Sequence, residues 1–406
     1  MSRSISASIR SNKHTFTRAV GVLYPLTLHP TKYLLCSCAL WTVWSRREKV
    51  RVSRWRVPGV TTRQLPDSAK MIETNGHFML SLMFSEDGKQ VLGGGCIDKP
   101  GSEKGMLQRW RVDDGQEVGE PIRTEGAAIF AVALSPDRRW LVGGLGRSDS
   151  GEAKANVVVW NAQTHEKVLD IDTPAMSLDI SPDSTTLATG SIGGFLCIWS
   201  ITTGEGLVGP LSHDEFHSGP EFVVVAVRFS PVGDRIATAS GTEGASQTQS
   251  IRIFNSKNGQ QLVYIPCQSS MDISIPLAWS ADGRQLFAAT SNQVKRFDTF
   301  SGSLLSSWSV PGGGSRNSIV LSRNQRFVAI LAHKSLSFWD VSTEMQIGTV
   351  IDHASEVASI ALSPNDDYIS TGEVNGIVTL RNLSEILPRS YLTPNVSSPL
   401  VECWQI

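Results

Sequence analysis

The sequence predicts an all-β fold, a seven-bladed β-propeller, and three observations lead to it. Short strands alternate apolar and polar residues, a tight turn containing serine recurs along the chain, and an aromatic residue usually follows each turn at a similar distance. The stretch from Ala175 to Glu205 contains one complete copy. Met176 to Ile180 is predicted to be a strand with one buried face. The turn Ser181-Pro182-Asp183-Ser184 ends it, because proline presets φ while serine and aspartate bond the local backbone.

The rest of this stretch continues in the same way. Thr186 to Ser191 is a second strand of small and β-branched residues, and Ile192-Gly193-Gly194 turns the chain again. Phe195 to Ser200 forms a third strand, and the turn Thr202-Thr203-Gly204-Glu205 leads into a fourth strand at about Gly206 to Leu211. One copy is therefore a four-stranded antiparallel sheet written in chain order.

The copy recurs along most of the chain. The turn serine is found at Ser85, Ser135, Ser181, Ser230, Ser280, Ser322 and Ser363. The residue in the third strand is Trp110, Trp160, Trp199, Phe254, Phe297, Trp339 and, in the seventh copy, Leu380. Four-stranded units that repeat at 41 to 50 residues indicate a propeller, in which no blade buries a core alone and neighbours pack around an axis.

Composition excludes several classes of protein. The chain has 406 residues and a formal net charge of −1, so nothing favours nucleic acid or an acidic membrane as a partner. Six cysteines are present without a C-x-x-C pair, which predicts neither a zinc framework nor a disulfide scaffold. We therefore expect reduced thiols and a cytoplasmic protein, and a nuclear location fits the same observations.

Residues 1–67 are predicted to be a basic N-terminal extension. Their first acidic residue is Glu48, a composition compatible with a mitochondrial transit peptide and with a disordered basic segment, of which we favour the second. Tyr33 to Trp44 is apolar but too short to span a bilayer. Leu23 to Trp55 aligns poorly to the repeat, so the sequence leaves open whether it is an eroded, degenerate eighth unit. The propeller is assigned to 68–384 and a C-terminal tail to 385–406.

The repeat motifs resemble those of WD40 repeat proteins from about Ser68 to Ser384. The resemblance is carried by Gly76-His77, by the Ser-Pro-Asp turns at 135–137 and 181–183, and by Ser280-Ala281-Asp282-Gly283, Ser363-Pro364-Asn365-Asp366 and Trp339-Asp340. In that family the fourth strand precedes the other three in the sequence repeat. The resemblance therefore implies that Ser68 to Glu73 completes the last blade and closes the ring, with Leu400 to Ile406 as the rival strand.

The family also has a buried tetrad that joins a histidine, a serine, an aspartate and a tryptophan. Here the turn aspartate is generally missing, and histidine is found only at His77, His353 and, less clearly, His213. We therefore expect the blades to depend mainly on apolar packing and to be less stable than ideal repeats. The positions assigned a structural role in the repeat are His77, Trp110, Trp160, Trp199, Trp339, Asp340 and His353.

Long insertions indicate where partners bind. The hairpin between the second and third strands is long in repeats one, two and four (96–105, 145–155 and 241–249), and the link 212–221 between repeats three and four is long too. In a WD40 propeller these segments share one face, and loops on a rigid scaffold often carry function. The alternative is that these loops vary in length without a function, because insertions in surface loops cost little stability. The candidate partner-binding residues are Lys99, Glu103, Lys104, Arg147, Asp149, Glu152, Lys154, Asp214, Glu215 and Phe216.

These observations favour a non-catalytic scaffold or adaptor that binds other proteins and has no cofactor. An enzyme or metal site at the mouth of the channel is the alternative, but Ala131–Leu134, Leu178–Ile180 and Ile360–Leu362, the first strands near the axis, are taken as apolar. His213-Asp214-Glu215-Phe216-His217 lacks the helix and the third ligand that a zinc site needs. A third hypothesis is substrate recognition within a larger multidomain system.

Overall fold

The computed structural model describes residues 69–74, 77–97, 104–125, 127–147, 156–212, 222–242, 249–267, 276–290, 292–311 and 317–392. Over these residues the chain is a seven-bladed, all-β propeller with two short 3-10 helices after the last strand. The Leu23–Trp55 segment, for which an eroded repeat is an open interpretation, and Leu400–Ile406 lie outside the described residues. No helix in the described part is long and apolar enough to cross a membrane.

Each blade is a four-stranded antiparallel sheet whose first strand lies nearest the axis. Blades one and two are β2 (His77–Phe84), β3 (Gln90–Ile97), β4 (Lys104–Arg111) and β5 (Ile122–Glu125), then β6 (Ala127–Leu134), β7 (Trp140–Arg147), β8 (Val157–Asn161) and β9 (Lys167–Ile171). Blades three and four are β10 (Ser177–Ile180), β11 (Thr186–Gly190), β12 (Phe195–Ser200) and β13 (Gly206–Ser212), then β14 (Phe222–Phe229), β15 (Arg235–Thr242), β16 (Gln249–Asn255) and β17 (Gln261–Cys267).

Blades five and six are β18 (Leu277–Trp279), β19 (Gln285–Ala289), β20 (Gln293–Asp298) and β21 (Leu304–Ser309), then β22 (Asn317–Leu321), β23 (Phe327–Ala332), β24 (Ser335–Asp340) and β25 (Gln346–Asp352). Blade seven combines β26 (Val357–Leu362), β27 (Tyr368–Glu373) and β28 (Ile377–Asn382) with β1 (Lys70–Glu73) from the other end of the chain.

The recurring serine is explained by the turn that it builds. Ser181 Oγ accepts a hydrogen bond from Thr186 N at 2.9 Å and donates one to Asp183 Oδ1 at 2.5 Å. The hydroxyl therefore joins both ends of the first hairpin, as a side chain that mimics backbone pairing does. Equivalent serine-to-carboxylate or serine-to-amide bonds are present in the turns of Ser85, Ser135, Ser230, Ser280 and Ser322.

Strand β1 closes the ring, as the family resemblance implied. It pairs antiparallel with β28, with Lys70 opposite Leu380 and Ile72 opposite Val378. Thr74 Oγ1 also donates to Gly376 O at 2.8 Å, across 302 residues of sequence. Because β1 fills the outer position of the last blade, the first and last parts of the propeller are held in one sheet.

Serines near the axis join neighbouring blades. Ser177 Oγ donates to Val224 O at 2.9 Å, between blades three and four. Ser359 Oγ donates to Met79 O at 3.0 Å, between blades seven and one, and Ser81 Oγ accepts from Val132 N at 3.1 Å, between blades one and two. Each of the three stands four residues before the turn serine of its own blade. The first strands are thus fixed to each other directly as well as through apolar packing.

Third-strand tryptophans form part of the core. Trp110 is fully buried and lies across Gly93, where an added Cβ would come within 2.8 Å of the indole ring. Trp160 covers Gly143 in the next blade at the same 2.8 Å. A side chain at either glycine would displace the ring, so the second strands of these blades depend on glycine for close packing.

The last described segment packs on blades six and seven. Its 3-10 helices are Leu383–Glu385 and Arg389–Tyr391, and Leu383 and Leu387 are buried in the apolar cluster of these blades. Tyr391 Oη donates to Asp340 Oδ2 at 2.8 Å, and Asn324 Nδ2 donates to Tyr391 O at 2.6 Å. The segment therefore covers the seam between these blades at the end where the serine turns lie.

The closing strand offers a matched pair of substitutions. Ile72 is 9% exposed and packs in the core cluster of blades one and seven, whereas the adjacent Met71 is 57% exposed. We expect Ile72→Ala to lower the free energy of unfolding by about 2 to 3 kcal/mol, because buried methyl groups are lost and a cavity remains. Met71→Ala should change it by less than about 0.5 kcal/mol. Urea denaturation of both variants measures this, and equal effects would show that β1 contributes no core packing.

Candidate interaction surface

The propeller has two faces of different character. The hairpins between first and second strands, and between third and fourth strands, lie at one end and define the tight-turn face. The hairpins between second and third strands, and the links between blades, lie at the other end and define the loop face. On the loop face, the hairpins of blades three, five, six and seven span only two to four residues.

Longer segments leave the loop face from blades one to four. The hairpins of blades one, two and four contain residues 98–103, 148–156 and 243–248, and the link between blades three and four contains 213–221. The bounding strands all end on this face, as the antiparallel order requires. The links 268–276 and 310–316, between blades four and five and between blades five and six, are also long and lie on this face, and they contain none of the predicted partner-binding residues.

Two of the candidate residues belong to strands. Lys104 is the first residue of β4 and pairs with Glu125, and Arg147 is the last residue of β7 and pairs with Ala127. Both positions lie at the loop-face end of their strands, on either side of the single-residue link between blades one and two. The other eight lie outside the described residues: Lys99, Glu103, Asp149, Glu152, Lys154, Asp214, Glu215 and Phe216.

The long segments start and end on fixed backbone. At the end of the blade-two hairpin, Asn156 Nδ2 donates to Asp170 Oδ1, and Leu145 N donates to Asn156 O at 2.8 Å. After the link 213–221, Phe222 O accepts from Gly193 N at 2.7 Å. These bonds fix the points at which the long segments enter and leave the sheets.

One polar side chain near the axis differs from expectation. Leu178–Ile180 was taken as an apolar first strand, but it contains Asp179, a partly buried carboxylate. Its Oδ2 accepts a hydrogen bond from Phe229 N at 2.7 Å. Burial raises the pKa of Asp179, while the charge of Arg228 on the next blade opposes that rise. The carboxylate bridges the first strands of blades three and four.

The described residues contain no group of three or more His, Cys, Asp or Glu side chains that could hold a metal ion. Asp179 is the acidic group that sequence periodicity could have identified, because it stands in the middle of a short strand whose neighbours face the core. Its bond to backbone shows what it does in the fold: it satisfies an inner-strand N–H that the adjacent blade leaves free.

The expected tetrad is reduced to pairs. His353 Nε2 lies 3.0 Å from Thr371 Oγ1 in blade seven, where the third strand carries Leu380 instead of tryptophan. Trp199 Nε1 donates to Thr189 Oγ1 at 2.9 Å in blade three. Each pair satisfies its own polar atoms without the other two members, so neither of these two blades depends on a complete buried network.

The other assigned repeat positions also pack within the blades. Trp339 Nε1 donates a hydrogen bond to Ser337 Oγ on its own strand, at 2.9 Å, and Asp340 Oδ2 accepts one from the Tyr391 hydroxyl. His77 Nδ1 lies 2.8 Å from Thr74 O, next to the closing strand. Hydrogen bonds hold the pKa of Asp340 down at about 2, although burial opposes that shift. The polar atoms named here are thus bonded within the fold.

Comparison with known proteins agrees with this architecture. The family model described as "WD domain, G-beta repeat" matches residues 163–200 and 345–382. Each match begins at the outer strand of one blade and continues through three strands of the next. The "Periodic tryptophan protein 2 homolog" of Dictyostelium discoideum is 24% identical over 279 residues, which cover 63% of this chain and 26% of that relative. The chain thus spans about a quarter of the relative's length.

Buried His353 gives a prediction for the pH dependence of stability. Burial lowers its pKa from 6.5 to about 4, despite its hydrogen bond to Lys334 O. The unfolded chain binds this proton more readily than the folded protein. The contribution of neutral His353 to stability is therefore complete above about pH 6.5 and is lost as the pH falls toward 4.

Between pH 7 and pH 5 the wild type should lose about 2 kcal/mol more stability than His353→Gln. Other titrating groups, including buried Glu373, are present in both proteins and largely cancel in this difference. Urea denaturation of both proteins at the two pH values measures it. Parallel losses in the two proteins would contradict a neutral, buried imidazole at this position.

Proposed function

We propose that this seven-bladed propeller of WD40 repeats is a non-catalytic interaction scaffold, which binds partner proteins through the loop face of blades one to four. The observation that carries the proposal is that the long loop-face hairpins are in blades one, two and four, joined by the long link 213–221, while the other loop-face hairpins span only two to four residues. Loops that grow by tolerated drift would be spread over all seven blades.

The chemistry of the long segments suits a polar rim. Residues 98–103 and 148–155 contain two lysines, two glutamates and two aspartates, and 213–221 adds acidic residues, two histidines and Phe216. Mixed charges around an aromatic residue are typical of protein interfaces, where charged pairs on the rim set specificity and on-rate while an aromatic side chain contributes much of the binding energy.

The scaffold role also rests on the rigidity of the ring. Strand β1 closes blade seven, and serines near the axis join several adjacent blades. A surface held in this way loses little conformational entropy on binding. The same proposal holds that the partners are proteins, and that the chain binds no nucleic acid, membrane or cofactor and catalyses no reaction. It also places the protein in the cytoplasm.

The first experiment shortens the long segments without cutting strands. Residues 98–103, 148–155 and 213–221 are replaced together by short glycine-containing turns, which leaves Ile97, Lys104 and Arg147 in place. Partners captured by cross-linking and identified with the wild type should be lost from this variant, and its unfolding should remain cooperative. Retention of the same partners would contradict the proposal.

A charge-reversal pair tests the face without changing loop length. Lys99→Glu combined with Lys154→Glu should weaken binding of an identified partner by about tenfold, because charges at the rim act mainly on association. The control combines Lys257→Glu with Arg284→Glu, which makes the same charge change at exposed positions of the tight-turn face. Equal weakening by both variants would attribute the effect to net charge instead of to the loop face.

A further inference from the structure

A cleft of about 400 Å³ lies between blades one and two on the tight-turn face. Leu92, Leu134 and Leu141 contribute apolar surface, and the serine turns of the two blades contribute polar groups. Arg109 of β4 and Arg138 of the β6–β7 turn also line it. The cleft is at the opposite end of the strands from the long loops, so it is independent of the surface proposed above.

Arg109 is the principal charge of this cleft. Its side chain is half-buried, and burial lowers the pKa of the guanidinium without any acidic neighbour contributing. Within the described part of the chain, no carboxylate lies within 4 Å of Arg109 or Arg138. A partly desolvated guanidinium without a counter-ion has lost some of its hydration, so pairing with an anionic partner costs it less further desolvation.

A histidine beside Arg109 also has an unused polar atom. His165 stands two residues after the lining residue Gln163 in the β8–β9 turn but does not itself line the cleft, and its buried Nε2 has no hydrogen-bond partner among the described residues. Burial first, and then the charge of Arg109, lower the pKa of His165, so the imidazole is neutral near pH 7.

The acidic residues of the cleft do not neutralise Arg109. Asp87 accepts hydrogen bonds from Ser85 Oγ at 2.6 Å and Lys89 N at 3.0 Å, which depress its pKa and commit its Oδ1 to the turn. Glu86 is exposed and forms no ion pair within the described residues. Both carboxylates are at the mouth, in the turn of blade one, and they limit how much negative charge the cleft can accept.

We propose that this cleft is a docking site for a partner protein segment that presents one acidic side chain beside an apolar residue. The carboxylate pairs with the fork of Arg109, and the apolar neighbour packs on the leucines. Arg–carboxylate pairs with two parallel hydrogen bonds are among the stronger polar contacts in proteins. A volume of about 400 Å³ is at the small end of binding pockets, which suits a few side chains better than a folded surface.

The charge balance favours a carboxylate over a phosphate. A doubly charged phosphoryl group would face Glu86 and Asp87 with only Arg109 and Arg138 to offset it, whereas a singly charged carboxylate is matched by Arg109 alone. The basic N-terminal extension is a poor occupant, because its first 47 residues contain no acidic residue. The C-terminal tail, with Val401-Glu402, is the competing occupant within this chain.

The test uses a library of amidated peptides with one central glutamate and randomised neighbours, titrated against the full chain by fluorescence polarisation. The best binders are expected to carry leucine or another apolar residue beside the glutamate. Replacing the glutamate of these peptides with glutamine should weaken binding by about tenfold or more, because a charge-assisted pair is lost. The Arg109→Gln substitution in the protein should weaken binding by a similar factor. Phosphoserine copies should bind less well than the glutamate peptides.

Arg111→Gln is the matched control, because Arg111 lies two residues along the same strand, pairs with Asp114 at 2.6 Å and does not line the cleft. It should leave binding unchanged. Glutamate peptides that bind no better than glutamine copies, or that bind Arg109→Gln equally well, would overturn the proposal. So would stronger binding of phosphoserine copies. If the Glu402→Gln variant bound the peptides more tightly, the chain's own tail would be competing for the cleft. That result would overturn the proposal that a partner protein occupies it.

Discussion

The pairing of β1 with β28 is the interaction on which the rest of the structure depends. Without it, blade seven would have three strands and an open edge, and the ring would be held between blades seven and one only by contacts such as Ser359 to Met79. With it, the first and last strands of the described chain belong to one sheet, and opening the ring requires breaking that sheet. The fixed geometry of both faces, and therefore of any loop or cleft on them, follows from this closure.

Adjacent blades are held together by both apolar and polar contacts. Apolar clusters cross from blade to blade throughout the described chain. Near the axis, Ser177 and Asp179 add hydrogen bonds from one first strand to the backbone of the next. These bonds satisfy inner-strand groups that would otherwise be buried without partners, so they contribute specificity of register more than bulk stability. A propeller with few complete tetrads can therefore still be uniquely packed.

Much of the fold was predictable because its signals are local. A serine that joins both ends of a tight hairpin, as Ser181 does, leaves a mark every 41 to 50 residues, and alternation within strands is readable beside it. The role of the closing strand was predicted from the family resemblance, because the pattern of four residues cannot identify a pairing partner about 302 residues further along the chain. The cleft could not be predicted, because its lining residues Arg109 and Arg138 belong to different blades and only packing brings them together. Asp179 was missed because the strand was classified by its apolar neighbours Leu178 and Ile180, although its position in the alternation was readable.

The closure described above has a consequence for biosynthesis. The acceptor of Thr74 is 302 residues further along the chain, so β1 leaves the ribosome long before its partner strand exists. At the usual rate of translation, roughly 300 residues take about 15 to 60 s. Throughout that time the nascent chain displays an unpaired strand at its beginning and a growing, open row of blades behind it. Open sheet edges are sites for pairing with neighbouring chains, and here the topology of the fold sets how long they stay open during synthesis.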